Sequence, residues 1–213
     1  MVPTRTIAFC DLVTNLLQQL LDTRAGTRLI FCGTRAEFLV QLSAAIHAQD
    51  AGSGDGQRHS LLTKSIGLLA NSSKVRIAFC PSLESLRAYM AVLGPDNDAA
   101  LAADDPERPQ VLAIANLVAL HTTTTEFSAQ GLSRTFAAAV ETASRTGMDL
   151  LLCECTNASM PSSTDWGPGL WDTQIPLLNG SVRLRGEEGA WGGRGVPVKH
   201  VAERWFEFNR PEV

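Results

Sequence analysis

Lysine is scarce in this sequence of 213 residues, which carries it only at Lys64, Lys74 and Lys199. None of the three follows a glycine, whereas a phosphate-binding P-loop needs a glycine-rich turn and a lysine that reaches the phosphates. The sequence also lacks a G-x-G-x-x-G fingerprint after a strand, a G-x-S-x-G elbow and an H-E-x-x-H pair. We therefore expect no ATPase activity, no cofactor and no bound metal.

Long apolar runs are missing as well. No stretch approaches the roughly 20 apolar residues that span a bilayer, and the start of the chain lacks the apolar run of a secretory signal. The five cysteines are an odd number in apolar surroundings, which favours free thiols in a reducing compartment. We expect an intracellular protein, nuclear or cytoplasmic, that is neither secreted nor attached to a membrane.

An excess of positive charge is also absent. The formal net charge of −4 disfavours tight, non-specific binding of nucleic acid by the whole surface. With 45% hydrophobic and 19% charged residues, the composition is that of an ordinary globular domain. The length fits a single domain over residues 1–213. Residues 94–109 are rich in Asp, Ala and Pro, which predicts an exposed or disordered loop.

Short apolar strands alternate with amphipathic helices along most of the chain. Strands are predicted over residues 27–32, 74–80, 110–116 and 149–155. Helices are predicted over residues 12–24, 36–48, 59–70 and 126–145, and another begins after Ser82. Residues 175–185 and 196–208 instead alternate like antiparallel strands around a glycine-rich turn. This order predicts an α/β fold, with a mostly parallel sheet between two helical layers and a terminal antiparallel β-hairpin.

Ligand sites of such sheets lie at the carboxyl ends of the strands. The strand Val111–Ala115 ends in Asn116, a neutral residue at the place where nucleotide hydrolases hold magnesium with an acid. Asn116 would otherwise cap the strand or bond the neighbouring loop. His121 follows the same strand. It could act as an acid–base group with Glu126 or Glu154 in an α/β enzyme, or simply bond a nearby carbonyl.

The tripeptide Cys153-Glu154-Cys155 places two thiols on one side of a strand and a carboxyl group on the other. Cys32 and Cys80 also end strands, so three or four thiols could meet at one edge. The C-x-C spacing is not the usual zinc knuckle, and buried hydrophobic cysteines are the favoured interpretation. Glu154 is a candidate for a polar switch, a partner contact or an ion pair.

The order of strand–helix units followed by an antiparallel hairpin resembles the RecA-type ATPase core. The strand that ends in Asn116 stands where that family has its Walker B strand. The helix 127–145, the strand 150–154 and the polar loop 157–171 follow in the expected order, and the loop occupies the place of one that contacts DNA in recombinases. The chain has neither a Walker A motif nor the Walker B acid, so the resemblance is to degenerate, scaffold-like members.

Two groups of such members are relevant. Subunits of the Shu complex are recombinase paralogues that assist homologous recombination and DNA repair, and non-catalytic Elongator subunits take part in transfer-RNA modification. The small size and short terminal hairpin favour the first group. The resemblance implies a non-catalytic subunit that forms a heterodimer with a related RecA-like protein.

Two segments are candidates for contact with this partner. The polar loop carries Trp166 and Trp171, and tryptophan is enriched at the centres of interfaces. The helix after Ser82 carries Arg87 and Tyr89 beside apolar residues. Both tryptophans could instead cover the edge of the sheet, because Trp is usually well buried.

Weak contact with single-stranded or duplex DNA is predicted for the C-terminal hairpin, through Arg183, Arg185, Arg194 and Lys199. The planar guanidinium group can donate two hydrogen bonds at once to a phosphate. The alternative is that these cations pair with neighbouring glutamates on a solvated face.

Changing Arg183, Arg185 and Arg194 together to alanine should weaken DNA binding if the hairpin makes the contact. The affinity of the unchanged protein should then fall with salt at a log–log slope of about −2 to −3, since roughly three phosphates would be neutralised. Both DNA forms should be titrated, with and without any partner. Equal affinity of the two proteins would remove the hairpin from the DNA contact.

Overall fold

The computed structural model describes residues 3–52, 59–94, 109–179 and 195–209. The predicted loop at 94–109 falls almost entirely outside these ranges. The described elements, in chain order, are β1 (Arg5–Ala8), α1 (Val13–Thr23), β2 (Thr27–Phe31), α2 (Arg35–Gly52), a 3-10 turn (Ser60–Leu62), α3 (Ile66–Ser72), β3 (Val75–Phe79), α4 (Leu83–Val92), β4 (Val111–Ala115), α5 (Leu117–Thr122), α6 (Ala129–Thr146), β5 (Asp149–Cys153), a second 3-10 turn (Pro168–Asp172), β6 (Gln174–Ile175), β7 (Val196–Pro197), α7 (Val198–Ala202) and β8 (Glu207–Asn209).

Six of these strands form one sheet in the order β3-β2-β4-β5-β1-β8. Every pairing in it is parallel, whereas β6 and β7 form a separate antiparallel pair. The predicted fold class, a mostly parallel α/β sheet with an antiparallel pair near the end of the chain, is therefore confirmed. Because the six strands run the same way, all their carboxyl ends lie at one edge, which we call the carboxyl edge.

The strands pack alternate side chains into two separate hydrophobic layers. Leu29 and Phe31 of β2 pack on one face with α1 and α2. Ile30, between them, packs on the other face with α4, α5, α6 and α7. β2 is buried along its whole length, as expected of a central parallel strand covered on both sides. None of the described helices is both long and apolar enough to cross a bilayer.

The structure differs from the sequence prediction at both ends of the chain. β1 was not predicted, because its four residues are too short to show a period. Residues 196–208 are not one strand: after β7 they form α7, and then β8, which lies parallel to β1. The buried residues Val198, Val201 and Ala202 have helical spacing, and this packing overrides the local alternation. In the described part of the other predicted strand, 175–185, only Ile175 lies in a strand, and residues 176–179 form none. Residues 180–194 lie outside the described residues.

The long helix predicted at 126–145 begins slightly later, and a short helix precedes it. α6 starts after Ser128, whose hydroxyl accepts a hydrogen bond of 3.0 Å from the amide of Gly131. The preceding residues 117–122 form α5 directly after Asn116. The helix predicted at 59–70 is likewise divided, since Ser65 caps a new helix, α3, behind the first 3-10 turn.

Replacing Gly131 by alanine should destabilise the fold. A β-carbon at this position would lie 2.0 Å from the carbonyl oxygen of Glu126, a backbone atom that cannot move alone. We expect a loss of about 1–3 kcal/mol in the free energy of unfolding, measured by denaturant titration. Gly67→Ala in α3 is the matched control, because nothing lies within 4 Å of its added carbon. Equal midpoints for the two variants would contradict the close approach.

Candidate functional site

Asn116 lies at the carboxyl end of β4, where a nucleotide hydrolase would hold its metal. Its backbone is left-handed, with φ 63° and ψ 36°, a conformation that asparagine tolerates better than most residues. Its side chain is fully buried, and Oδ1 accepts a hydrogen bond of 2.8 Å from the amide of Cys155. The amide of Asn116 in turn donates to the carbonyl of Cys153 at 2.8 Å. Asn116 thus bonds the neighbouring loop, the second of the two roles predicted for it.

Glu154 directly follows β5, and its carboxyl group lies against the first turn of α5. One carboxyl oxygen accepts a hydrogen bond of 2.7 Å from the amide of Val118, and the other accepts one of 3.2 Å from Ala119. The side chain is 2% exposed. Burial raises the pKa of Glu154 to about 8, although the backbone donors of α5 act in the opposite direction. Glu154 therefore serves as the cap of a helix within its own chain.

The N-terminus of α2 is also capped by a carboxylate. Glu37 accepts hydrogen bonds of 2.6 Å and 2.9 Å from the amide and the hydroxyl of Thr34. The hydroxyl of Thr34 accepts one of 3.1 Å from the amide of Glu37. This reciprocal arrangement is a capping box. The T-x-x-E spacing could have been found in the sequence, where it was overlooked.

The turn after β1 connects to the loop after β5. It consists of Phe9, Cys10, Asp11 and Leu12, with no glycine and no lysine. The carbonyl of Asp11 accepts a hydrogen bond of 2.8 Å from the amide of Thr156. The turn is thus bonded to a neighbouring loop, and it lacks the residues of a phosphate-binding loop.

His121 is fully buried at the other end of α5. Its Nε2 lies 3.0 Å from the hydroxyl of Thr135, and its Nδ1 lies 3.3 Å from the carbonyl of Glu126. Burial lowers the pKa of His121 to about 4, so the ring is neutral near neutral pH. The histidine bonds a nearby carbonyl, as in the simpler of its two predicted roles.

The carboxylate of Glu126 points to Arg87 of α4. The guanidinium group donates two hydrogen bonds, of 3.0 Å and 2.6 Å, and these hold the pKa of Glu126 below its ordinary value. Glu154 lies at the opposite end of α5 from His121. His121, Glu126 and Arg87 therefore form one hydrogen-bonded group, in which the hydroxyl of Thr135 contacts both His121 and Arg87, whereas Glu154 stands apart. None of the three candidate residues lines the cavity of about 660 Å³ along α1 or the one of about 150 Å³ beside Phe9 and Asn209.

The residues predicted for a partner interface are engaged within the chain. Arg87 pairs with Glu126, and the hydroxyl of Tyr89 accepts a hydrogen bond of 2.6 Å from Arg28. Trp171 is 2% exposed and packs edge-on against Phe208, with 5.5 Å between ring centroids. Trp166 is half-buried against the same hydrophobic layer. Their role in an interface stays a prediction.

The residues predicted for DNA contact are described only in part. Arg183, Arg185 and Arg194 lie outside the described residues. The ammonium group of Lys199 lies 5.6 Å from the ring centroid of Phe208 and 4.0 Å from the carboxylate of Glu203. The ammonium group of Lys199 therefore has an aromatic and an acidic neighbour within the chain. DNA contact by these four residues stays a prediction.

The five cysteines are buried free thiols in two layers. Cys10, Cys153 and Cys155 lie in the layer of α1 and α2, with 3.6 Å between the sulfur atoms of Cys153 and Cys155. Cys32 and Cys80 lie in the opposite layer, and burial raises the pKa of both. Within the described ranges, no three His, Cys, Asp or Glu side chains are arranged to hold a metal ion.

A groove of about 660 Å³ runs along α1 and is lined by polar residues of α1, by Gln49 of α2 and by His59 and Ser60. Gln49 donates to Asn15 at 2.8 Å, and Ser60 donates to Gln18 at 3.1 Å. The sequence analysis missed this groove, although the amide side chains at positions 15, 18 and 19 of α1 were a signal. The groove's polar groups largely bond one another.

Comparison with known proteins gives a family and a distant structural similarity. The family model described as SPAC22G7.03-like matches residues 2–208. No curated protein matches significantly. A solved structure of a DnaB-like replicative helicase and its interactions with primase is similar, with a TM-score of 0.35 and 11% identity over 76% of this chain. The match spans 41% of the helicase chain, less than half its length.

Glu154→Gln should remove a pH dependence of stability. The folded chain holds the Glu154 proton up to about pH 8, whereas the ordinary pKa is 4.5. Unfolding therefore releases a proton between these values, and the stability of the unchanged protein should fall as pH rises from about 4.5 to about 8. The glutamine variant should lack this fall. It should also lose about 1–3 kcal/mol at pH 5, because its amide group would face a backbone donor.

The measurement is the free energy of unfolding across this pH range. Glu141→Gln, an exposed substitution on α6, is the control and should keep the pH dependence of the unchanged protein. If Glu154→Gln and the unchanged protein show the same slope, Glu154 does not hold its proton as described.

Proposed function

The chain belongs to the SPAC22G7.03-like family, and from this premise we propose that it is a non-catalytic, RecA-like scaffold subunit that acts through a protein partner. The family description names no activity. The proposal therefore rests on what the carboxyl edge of the sheet does with its hydrogen-bonding groups.

The observation that carries the proposal is that side chains of the chain itself accept hydrogen bonds from backbone amides at the starts of α5 and α2. Free backbone amides at a helix N-terminus are the usual receptors for phosphate groups. Here Glu154 accepts from the amides of α5, and Glu37 together with Thr34 caps α2. A phosphate at α5 would have to displace Glu154 and leave a buried carboxyl group without its hydrogen bonds. That change costs about 1–3 kcal/mol or more.

The metal chemistry of a nucleotide hydrolase is unsupported for a second reason. Magnesium in such sites is held by an acid at the end of the strand, and this position is Asn116. Its one acceptor oxygen already binds the amide of Cys155. A neutral side chain with its acceptor engaged is a poor ligand for a divalent ion.

The finer part of the proposal concerns the partner and the process. We propose a heterodimer with a related RecA-like protein that assists homologous recombination and DNA repair, as in the Shu complex. Its support is the resemblance of the strand–helix order and the absence of Walker A and Walker B residues. An Elongator-like scaffold in transfer-RNA modification would share these features, and co-purification from the native cell distinguishes the two.

The purified protein should show no saturable binding or hydrolysis of ATP, because Glu154 accepts from the first amides of α5 and a neutral Asn116 stands at the metal position. Titration calorimetry with Mg-ATP up to millimolar concentration measures this directly. Micromolar affinity together with turnover that is lost on changing Asn116 or Arg35 would overturn the proposal. Arg24→Ala, at an exposed position after α1, is a control for general effects of losing an arginine.

A further inference from the structure

β3 is the end strand of the main sheet, and its outer edge pairs with no strand among the described residues. The backbone carbonyl of Lys74 accepts a hydrogen bond from the amide of Thr27, and the amide of Cys80 donates one to the carbonyl of Phe31. In a parallel pair, the backbone groups of alternate residues point to the same neighbour. The even-numbered residues of β3 therefore bond β2, and Val75, Ile77 and Phe79 direct their amides and carbonyls outward.

The two faces of β3 also differ in chemistry. Ile77 pairs with Leu29, so its side chain lies on the face of α1 and α2, where it is 39% exposed. Arg76 is exposed on the face of α4, directly opposite Arg28 of β2. The exposed guanidinium group of Arg76 favours a carboxylate beside it on this face. The strand thus offers an apolar contact on one face and a basic contact on the other.

The segment around β3 has a charge unlike that of the whole chain. Residues 59–83 contain Lys64, Lys74 and Arg76 but no aspartate or glutamate, although the chain has a net charge of −4. α3, which leads into β3, has no buried residue. Ile66 and Leu69 of this helix are 88% and 62% exposed. The part of the chain that leads into the open edge is thus apolar and basic.

From these features we infer that β3 receives an additional strand, an extended acidic segment of a partner protein with alternating carboxylate and apolar side chains. Its backbone would complete the ladder at Val75, Ile77 and Phe79, a recognised mode of peptide binding. A carboxylate would lie against Arg76, and an apolar side chain would cover Ile77. The inference rests on the proposed function in one respect, that the chain acts through a protein partner.

The backbone edge favours a polypeptide over the other anionic surfaces. A lipid headgroup or a nucleic-acid phosphate could contact Arg76, but neither can pair with a row of amides and carbonyls spaced as in a β-strand. An open edge strand is also a place where unwanted pairing occurs unless the edge is covered or blocked by charge. An acidic partner strand uses the charge on β3 for selectivity.

The test uses the full chain and a fluorescent peptide of alternating glutamate and valine. We expect saturable binding, and Arg76→Glu should weaken it roughly tenfold or more because attraction becomes repulsion. Arg134→Glu on α6 makes the same charge change at an exposed site elsewhere and should leave the affinity unchanged. A peptide with lysine in place of glutamate, and one with glutamates and valines in separate blocks, should both bind at least tenfold more weakly.

Amide hydrogen exchange gives a readout at single residues. Peptide binding should slow exchange at Val75, Ile77 and Phe79, whose amides point outward, and leave Arg76 and Ala78 unchanged because they already bond β2. Slowing at all five positions alike, or at none, would overturn strand addition. So would binding of anionic vesicles or single-stranded DNA that Arg76→Glu abolishes while the peptide fails to bind.

The outcome for this surface can be distinguished from that for the proposed function. If Arg76→Glu still co-purifies with the native partner at full stoichiometry, the β3 surface is not the docking site, while the scaffold role stands. If the chain binds and turns over ATP, the scaffold role fails whatever the peptide does.

Discussion

The hydrogen bonds from α5 to the Glu154 carboxyl group are the constraint on which the carboxyl edge depends. They attach α5, the helix that follows β4, to the end of β5. Asn116, which follows β4, in turn accepts a hydrogen bond from the amide of Cys155, which follows β5. Two neighbouring strands are thus joined at their ends by side chains that each bond the other's loop. Because both side chains are buried, these bonds are shielded from competition by water.

This arrangement changes what the groups at the carboxyl edge bind. In parallel sheets this edge generally provides free amides and acids for a ligand. Here the same groups stabilise the protein itself, through Thr34 and Glu37 at α2 and through Glu154 at α5. Among the described residues, the open backbone of the main sheet lies elsewhere, on β3, where the side chains are basic and apolar. Recognition of a protein partner, as proposed above, would use this edge and not the carboxyl edge.

The sequence was sufficient for the fold class, because short apolar strands alternate with amphipathic helices along most of the chain. Two roles followed from residue type and position alone: Asn116 bonds the neighbouring loop, and His121 bonds a nearby carbonyl. The contacts of Glu154 did not, because its partners lie about 36 positions away along the chain. Short elements were also missed: β1 has four residues and α7 five, and such lengths show no reliable period. The capping box at Thr34 and Glu37, by contrast, was visible in the spacing.

The buried carboxyl group beside α5 has a consequence for substitution at position 116. An aspartate at position 116 would tolerate the left-handed backbone and accept from Cys155 as asparagine does. It would also place a second buried acid beside the loop of Glu154, which already holds its proton up to about pH 8, and burial would raise the pKa of the new acid as well. The stability of such a variant would therefore fall more steeply as pH rises towards 8 than that of the unchanged protein.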